Sequence, residues 1–141
     1  MPTSTRDRAD KVWQDLSRIV MDNKDTWRRS VVAETGLPFS RIRILLRLSG
    51  NAMTVREVAD AATIDAPAAT VAVNDLTARG LVVREVDPNN RRCKQVSLTQ
   101  AGRELVAAVR AIDDPAPPML NALTDDELST LQAILGKLRR H

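Results

Sequence analysis

The feature that most constrains this chain is a change of period between Thr54 and Thr99. Up to Gly80 the apolar residues recur at helical spacing. From Leu81 they form a β-branched run, Leu81-Val82-Val83-Arg84-Glu85-Val86, and they return at Lys94-Gln95-Val96-Ser97-Leu98 with two-residue alternation. Between the two runs, Asp87-Pro88-Asn89-Asn90 is turn chemistry. Ahead of them, two short helices are marked by their caps. Thr54, with Glu57 three residues on, spells a capping box for a helix carrying Val55, Val58, Ala59 and Ala62. Thr63-Ile64 reads as a turn. Asp65 caps a second helix with Pro67 in its first turn, Val73 and Leu76 toward the core, and Arg79-Gly80 at its end.

Helix, turn, helix, strand, basic turn, strand is the order of a winged helix-turn-helix. In that arrangement the second helix fits the DNA major groove. The hairpin reaches the backbone or the minor groove, whose negative potential attracts guanidinium groups. Helical segments flank this lobe. Val12, Leu16, Ile19 and Val20 form a stripe on a helix expected from Arg6 to about Val32, with Trp13 and Trp27 on or near it. Gly36 and Pro38 break the chain, and Phe39, Ile42, Leu45, Leu46 and Leu48 mark a helix ending near Ser49-Gly50-Asn51. Past the hairpin, Thr99 caps a helix striped by Leu105, Val106, Val109 and Ile112, and Asp113 to Pro118 interrupts it. Thr124, with Glu127, caps a last helix on which Leu128, Leu131, Leu135 and Leu138 share one face. The fold class expected is mainly α with a small β wing. One domain spans 1–141, with a winged lobe at about 38–100 and outer helices at about 6–34 and 101–141.

Charge places the function within that frame. The formal net charge is +3, split as +1 over residues 1–40, +3 over 41–99 and −1 over 100–141. Arg79, Arg84, Arg91, Arg92 and Lys94 give the span 79–94 an excess equal to that of the whole chain. Such concentration is the footprint of a phosphate-contacting element, whereas an ordinary solvated face is the alternative. Only Trp13, Trp27 and Phe39 are aromatic, which argues against single-strand binding by base stacking. The single Cys and the terminal His141 leave no zinc cluster and no intrachain disulfide. No metal or cofactor is expected. Without an internal His or a glycine-rich phosphate loop, an enzyme is not expected either. No apolar run approaches membrane length, and the start, Met1 to Arg6, lacks an apolar signal region. A soluble, cytoplasmic protein is the expectation.

From Phe39 onward the chain resembles the MarR family of bacterial transcriptional regulators. The resemblance is carried by Thr54-Val55-Arg56-Glu57-Val58-Ala59, Leu76-Thr77-Ala78-Arg79-Gly80-Leu81-Val82, Asp87-Pro88-Asn89-Asn90-Arg91-Arg92 and Val96-Ser97-Leu98-Thr99-Gln100-Ala101-Gly102. It implies a homodimer assembled by the first helix and the last two, bound to a pseudo-palindromic operator on double-stranded DNA. It also implies a repressor released by a small phenolic or lipophilic ligand, at a site the residues do not indicate. The terminal apolar stripes (Val12, Leu16 and Ile19; Leu128, Leu131, Leu135 and Leu138) fit dimerisation independently, since few helices of one chain could cover them.

Two departures from the family pattern stand out. Asn90 replaces the Asp that usually precedes the wing arginines, so any bond it makes to them lacks charge assistance, with Asp87 as a potential substitute. The second helix is poor in polar readers, and Val71 stands where Arg is frequent. Base contacts are then expected from Ala68, the Thr70 methyl and an Asn74 hydrogen bond. Arg92 is the expected minor-groove contact and Arg91 a phosphate contact. Arg84, Lys94, Thr54 and Arg56 are evenly balanced between phosphate contacts and ordinary surface or capping roles. Arg41, Arg43 and Arg47 read as solvated charges or ion-pair partners. Cys93 has basic neighbours that could activate its thiol, but a lone intracellular cysteine is more often inert. Trp13, Trp27 and Phe39 read as core or interface rather than pocket. A winged helix that docks a protein without DNA is the alternative function, supported by the Ala-rich second helix.

Overall fold

The computed structural model describes residues 4–140; Met1 to Thr3 and His141 lie outside the described residues, and with them the first half of the Met1–Arg6 start and the lone histidine. The elements are α1 (Thr5–Asn23), α2 (Asp25–Thr35), α3 (Phe39–Leu48), α4 (Val55–Ala62), α5 (Ala66–Ala78), β1 (Val82–Asp87), β2 (Asn90–Leu98), α6 (Gln100–Ala111), a 3-10 turn (Pro118–Ala122) and α7 (Asp125–Leu138). The expected class, mainly α with a small β wing, is the one observed. No helix among the described residues is long and apolar enough to cross a membrane.

The caps explain most of the boundaries. Thr54, Asp65, Thr99 and Thr124 each accept a hydrogen bond from the backbone N–H three residues on, and Thr54 and Thr124 complete capping boxes with Glu57 and Glu127. Each such cap is worth about 1 kcal/mol. Gly36, at φ +71°, ends α2 with its N–H on the Val32 carbonyl. Thr63 closes α4 at φ 57°, a left-handed conformation unusual for a β-branched residue, and turns the chain into α5.

The expected single helix from Arg6 to Val32 is two helices, broken at Lys24. Asn23 donates its side-chain amide to the Ile19 carbonyl at 2.7 Å, competing with the helical ladder. Lys24, the cap shared by both helices, pairs its side chain with Asp114 at 2.5 Å and sits over the Trp27 ring. The break separates the two tryptophans. Trp13 is 70% exposed on α1, whereas Trp27 meets Phe39 edge-to-face at 5.8 Å.

The core gathers Val31 of α2, Ile42, Ile44 and Leu45 of α3, Val58 of α4, Val73 and Leu76 of α5, Val82 and Val96 of the strands, and Val106 and Val109 of α6. Strands β1 and β2 pair antiparallel from Val82↔Leu98 to Val86↔Lys94. Met53 adds a one-residue bridge to Val96, too short to leave a periodic trace in sequence.

The Leu98-Thr99-Gln100-Ala101-Gly102 signature has a physical basis. Thr99 donates its hydroxyl to the Gly80 carbonyl at 2.6 Å and accepts from the Gly102 N–H. A Cβ on Gly102 would lie 2.1 Å from the Leu81 carbonyl oxygen. The hairpin and α6 are thus closed against each other through a contact that only glycine permits.

Candidate nucleic-acid interface

Helix α5 buries Ala69, Ala72, Val73 and Leu76 and leaves Ala68, Thr70, Val71 and Asn74 outward. Val71 is 62% exposed, an apolar side chain in the middle of the outer face. The Thr70 hydroxyl turns back to the Ala66 carbonyl at 3.1 Å. The helix is held in place from behind by Asp75, whose carboxylate accepts from Arg41 Nε of α3 at 3.0 Å and from Arg79 Nε at 3.2 Å. These bonds, Arg41's first, hold the Asp75 carboxyl below its ordinary value against the opposing effect of partial burial. Arg41 is therefore an intrachain ion-pair partner, one of the two roles its sequence context admits.

Beside α5 stands the hairpin. Its turn is Pro88-Asn89, shorter than the turn expected from sequence, with the Asn89 N–H on Asp87 Oδ1 at 2.8 Å. The second strand begins at Asn90 rather than at Lys94. Because Asp87 pairs with Asn90 while Val86 pairs with Lys94, Arg91, Arg92 and Cys93 are surplus to the ladder and bulge from it. Both arginines are exposed, and neither forms an ion pair among the described residues. Asn90 accepts from the Arg92 backbone N–H at 3.2 Å and donates to Cys93 Sγ at 3.4 Å, while Asp87 Oδ2 accepts from Gln95. The expected side-chain bond to a wing arginine is made by neither Asn90 nor Asp87. Asn90 instead braces the backbone that carries Arg92.

Arg84 and Asn74 require the largest correction. The sequence leaves Arg84 balanced between a phosphate contact and a surface charge and gives Asn74 a base hydrogen bond, but Arg84 donates to Asn74 Oδ1 at 2.5 Å. Val82 and Arg84 share the face of β1 that looks toward α5, so Arg84 is half-buried where a phosphate contact would need it free. Lys94 is exposed on β2. The Thr54 hydroxyl and N–H are both engaged with Glu57, at 3.1 and 3.3 Å, so the start of α4 already carries its own carboxylate. Arg56 is exposed and makes no ion pair among the described residues.

Far from this surface, α1 and α7 bury none of their residues. Val12, Ile19, Leu128, Leu135 and Leu138 are exposed, and Leu16 and Leu131 are half-buried. A third feature lies beside α6. An open groove of about 540 Å³ is lined by Ser49, Leu98, Val106 and Ala107, with Arg103 and Arg110 beside them. Among the described residues no group of three His, Cys, Asp or Glu side chains could hold a metal ion.

The helix-turn-helix with a basic, bulged hairpin at its side defines a winged helix-turn-helix protein. Residues 35–92 match the sequence model of the MarR family, which covers α3 to the wing arginines. The winged lobe is similar in sequence to that of MarR-family proteins, and the fold extends the likeness to nearly the whole chain. MarR of E. coli in its apo form is 23% identical, with 89% of this chain and 95% of that one covered and a TM-score of 0.70. The transcriptional regulator BldR of Sulfolobus solfataricus is 20% identical over 98% and 99% of the two chains, with a TM-score of 0.66. A variant of MepR of S. aureus bound to an oligodeoxyribonucleotide is 22% identical over 91% and 96%, with a TM-score of 0.61. MepR bound to ethidium bromide is 21% identical over 91% and 94%, with a TM-score of 0.62.

Proposed function

We propose that this chain is a homodimeric, sequence-specific DNA-binding transcriptional regulator, acting in the cytoplasm as a repressor that a small molecule relieves. One observation carries the reading: two exposed arginines, unpaired among the described residues, bulge from a hairpin beside a helix whose outer face is open. Arg92 enters the minor groove and Arg91 holds phosphate. Ala68, Thr70, Val71 and Asn74 meet base edges in the major groove. Lys94 and Arg56 add phosphate contacts, Arg84 acts through Asn74, and Thr54 serves as a cap. The lobe at about 38–100 reads DNA, while the helices at about 6–34 and 101–141 pair two copies through Val12, Leu16, Ile19, Leu128, Leu131, Leu135 and Leu138. Half-sites one turn apart lie roughly 34–36 Å from each other, so the pairing sets which operators fit. A lipophilic or phenolic molecule in the groove beside α6, its apolar part on Val106 and Leu98, shifts that spacing and releases DNA. MepR's oligonucleotide and ethidium complexes support both halves of this reading by analogy of fold.

The test combines salt and mutation. Duplexes selected from a random pool should bind with an affinity that falls steeply as salt rises. Arg91→Ala with Arg92→Ala should weaken binding by about a hundredfold or more, and should shallow the salt slope by about 2. The exposed Val71 favours a second reading, a winged helix that docks a protein. Unchanged DNA binding in the double variant would leave that second reading standing in place of the first.

A further inference from the structure

We propose that Arg84 fixes which base α5 reads, by turning Asn74 into a one-sided donor that, with Val71, selects thymine. The inference rests on the DNA-reading function proposed above. An arginine side chain can only donate, so the amide atom facing it at 2.5 Å is the oxygen; one of its lone pairs is spent there, and the NH₂ is the group of Asn74 left unengaged. Asparagine recognises adenine by accepting from N6 and donating to N7 together. With Oδ1 held toward β1 by Arg84, the amide is fixed with its NH₂ foremost, and the paired contact to N6 and N7 is disfavoured. Val71 lies three residues before Asn74 on the same exposed face, within neighbour distance on a helix. Together they present a donor beside an apolar side chain. Thymine shows the matching pair on its major-groove edge, the O4 acceptor next to the C5 methyl. Guanine offers acceptors but no methyl, and cytosine sets its own N4 donor against the Asn74 donor. Arg84 is thus a positioning residue that touches no base.

The experiment selects duplexes from a random pool with the wild-type chain and with Arg84→Met, which keeps the apolar stem and removes the donors. Asn74→Ala identifies the base pair concerned as the position at which preference disappears. There the wild type should prefer thymine to adenine by about tenfold, and Arg84→Met should lose or reverse that preference. A second measurement needs no folded variant. In the selected site, dU in place of dT should weaken wild-type binding about fourfold, the contribution of one methyl. At the same place, 5-methyl-dC, which keeps the methyl and loses the acceptor, should cost about tenfold or more. Adenine or guanine at that position in the wild type overturns the proposal. So does an Arg84→Met chain that binds all sequences more weakly with the same preference, as loss of a phosphate contact would cause, and so does equal affinity for dU and dT. A wild-type chain that enriches no sequence removes the DNA-reading function itself, an outcome distinct from a wrong base.

Discussion

The winged lobe and the outer helices solve opposite problems with similar amphipathic segments. Among the described residues every buried hydrophobic side chain lies between Val31 and Val109; α1 and α7 bury none. Helix α3 is ten residues long and buries Ile42, Ile44, Leu45 and Leu48. Helix α7 is fourteen residues long, with an equally regular leucine face, and leaves Leu128, Leu135 and Leu138 exposed, the last at 57%. The contrast teaches that regular apolar spacing specifies a helix with something to cover, and not what covers it. In the lobe the cover comes from the same chain. For α1 and α7 a second copy supplies it in our proposal, and the largest predicted effect follows from that. Leu135→Glu with Leu138→Glu should place two carboxylates in the pairing surface and leave a monomer at micromolar concentration, a loss of about 3 kcal/mol or more of association. Sedimentation equilibrium reads it, and a double variant that remains dimeric would break the contrast between the regions.

Inside the lobe the corresponding damage should not depend on protein concentration. Gly102→Ala would drive a Cβ to 2.1 Å from the Leu81 carbonyl oxygen, and the opposing atom is backbone that cannot swing away. Overpacking of this kind should cost about 3 kcal/mol in urea unfolding. Ile44→Ala, which empties a buried site, should cost about 2–5 kcal/mol. Equal losses at tenfold different protein concentrations, once unfolding of the pair is allowed for, would sharpen the distinction. A loss that scaled with concentration would instead show the lobe to be stabilised through the partner.

The legible parts of this molecule are those decided within a few residues. The caps Thr54, Asp65, Thr99 and Thr124 act over three residues, so they place α4, α5, α6 and α7 from sequence. The illegible parts depend on what arrives from elsewhere. The helix break at Lys24 leaves the apolar stripe largely intact and is fixed in part by Asp114, ninety residues away. The bulge holding Arg91, Arg92 and Cys93 is a property of the ladder between two strands, which neither strand's composition encodes. Arg84 and Asn74 each suit DNA when taken singly. Their pairing emerges only once β1 packs on α5, and it fixes the Asn74 amide on the outer face of that helix. The candidate site was therefore visible as a set of residue types, while the division of roles within it was not.

The smallest effect tests whether α5 is held by charge as well as by packing. Asp75 joins α5 to Arg41 of α3 and to Arg79, and these bonds keep its carboxyl below the ordinary 3.8. A carboxyl whose folded pKa is depressed stabilises the fold at pH above its unfolded value. That contribution disappears as the pH falls through 3.8 toward the folded value. Asp75→Asn removes the titration and keeps the shape. Its urea midpoint at neutral pH should fall by less than that of Gly102→Ala, because both partners are partly solvated. Between about pH 5 and pH 3 its stability should change less than that of the wild type. Parallel pH profiles for the two proteins would show that packing of Val73 and Leu76 alone seats α5, and that the Arg41 contact adds nothing to the rigidity of the helix we propose to face DNA.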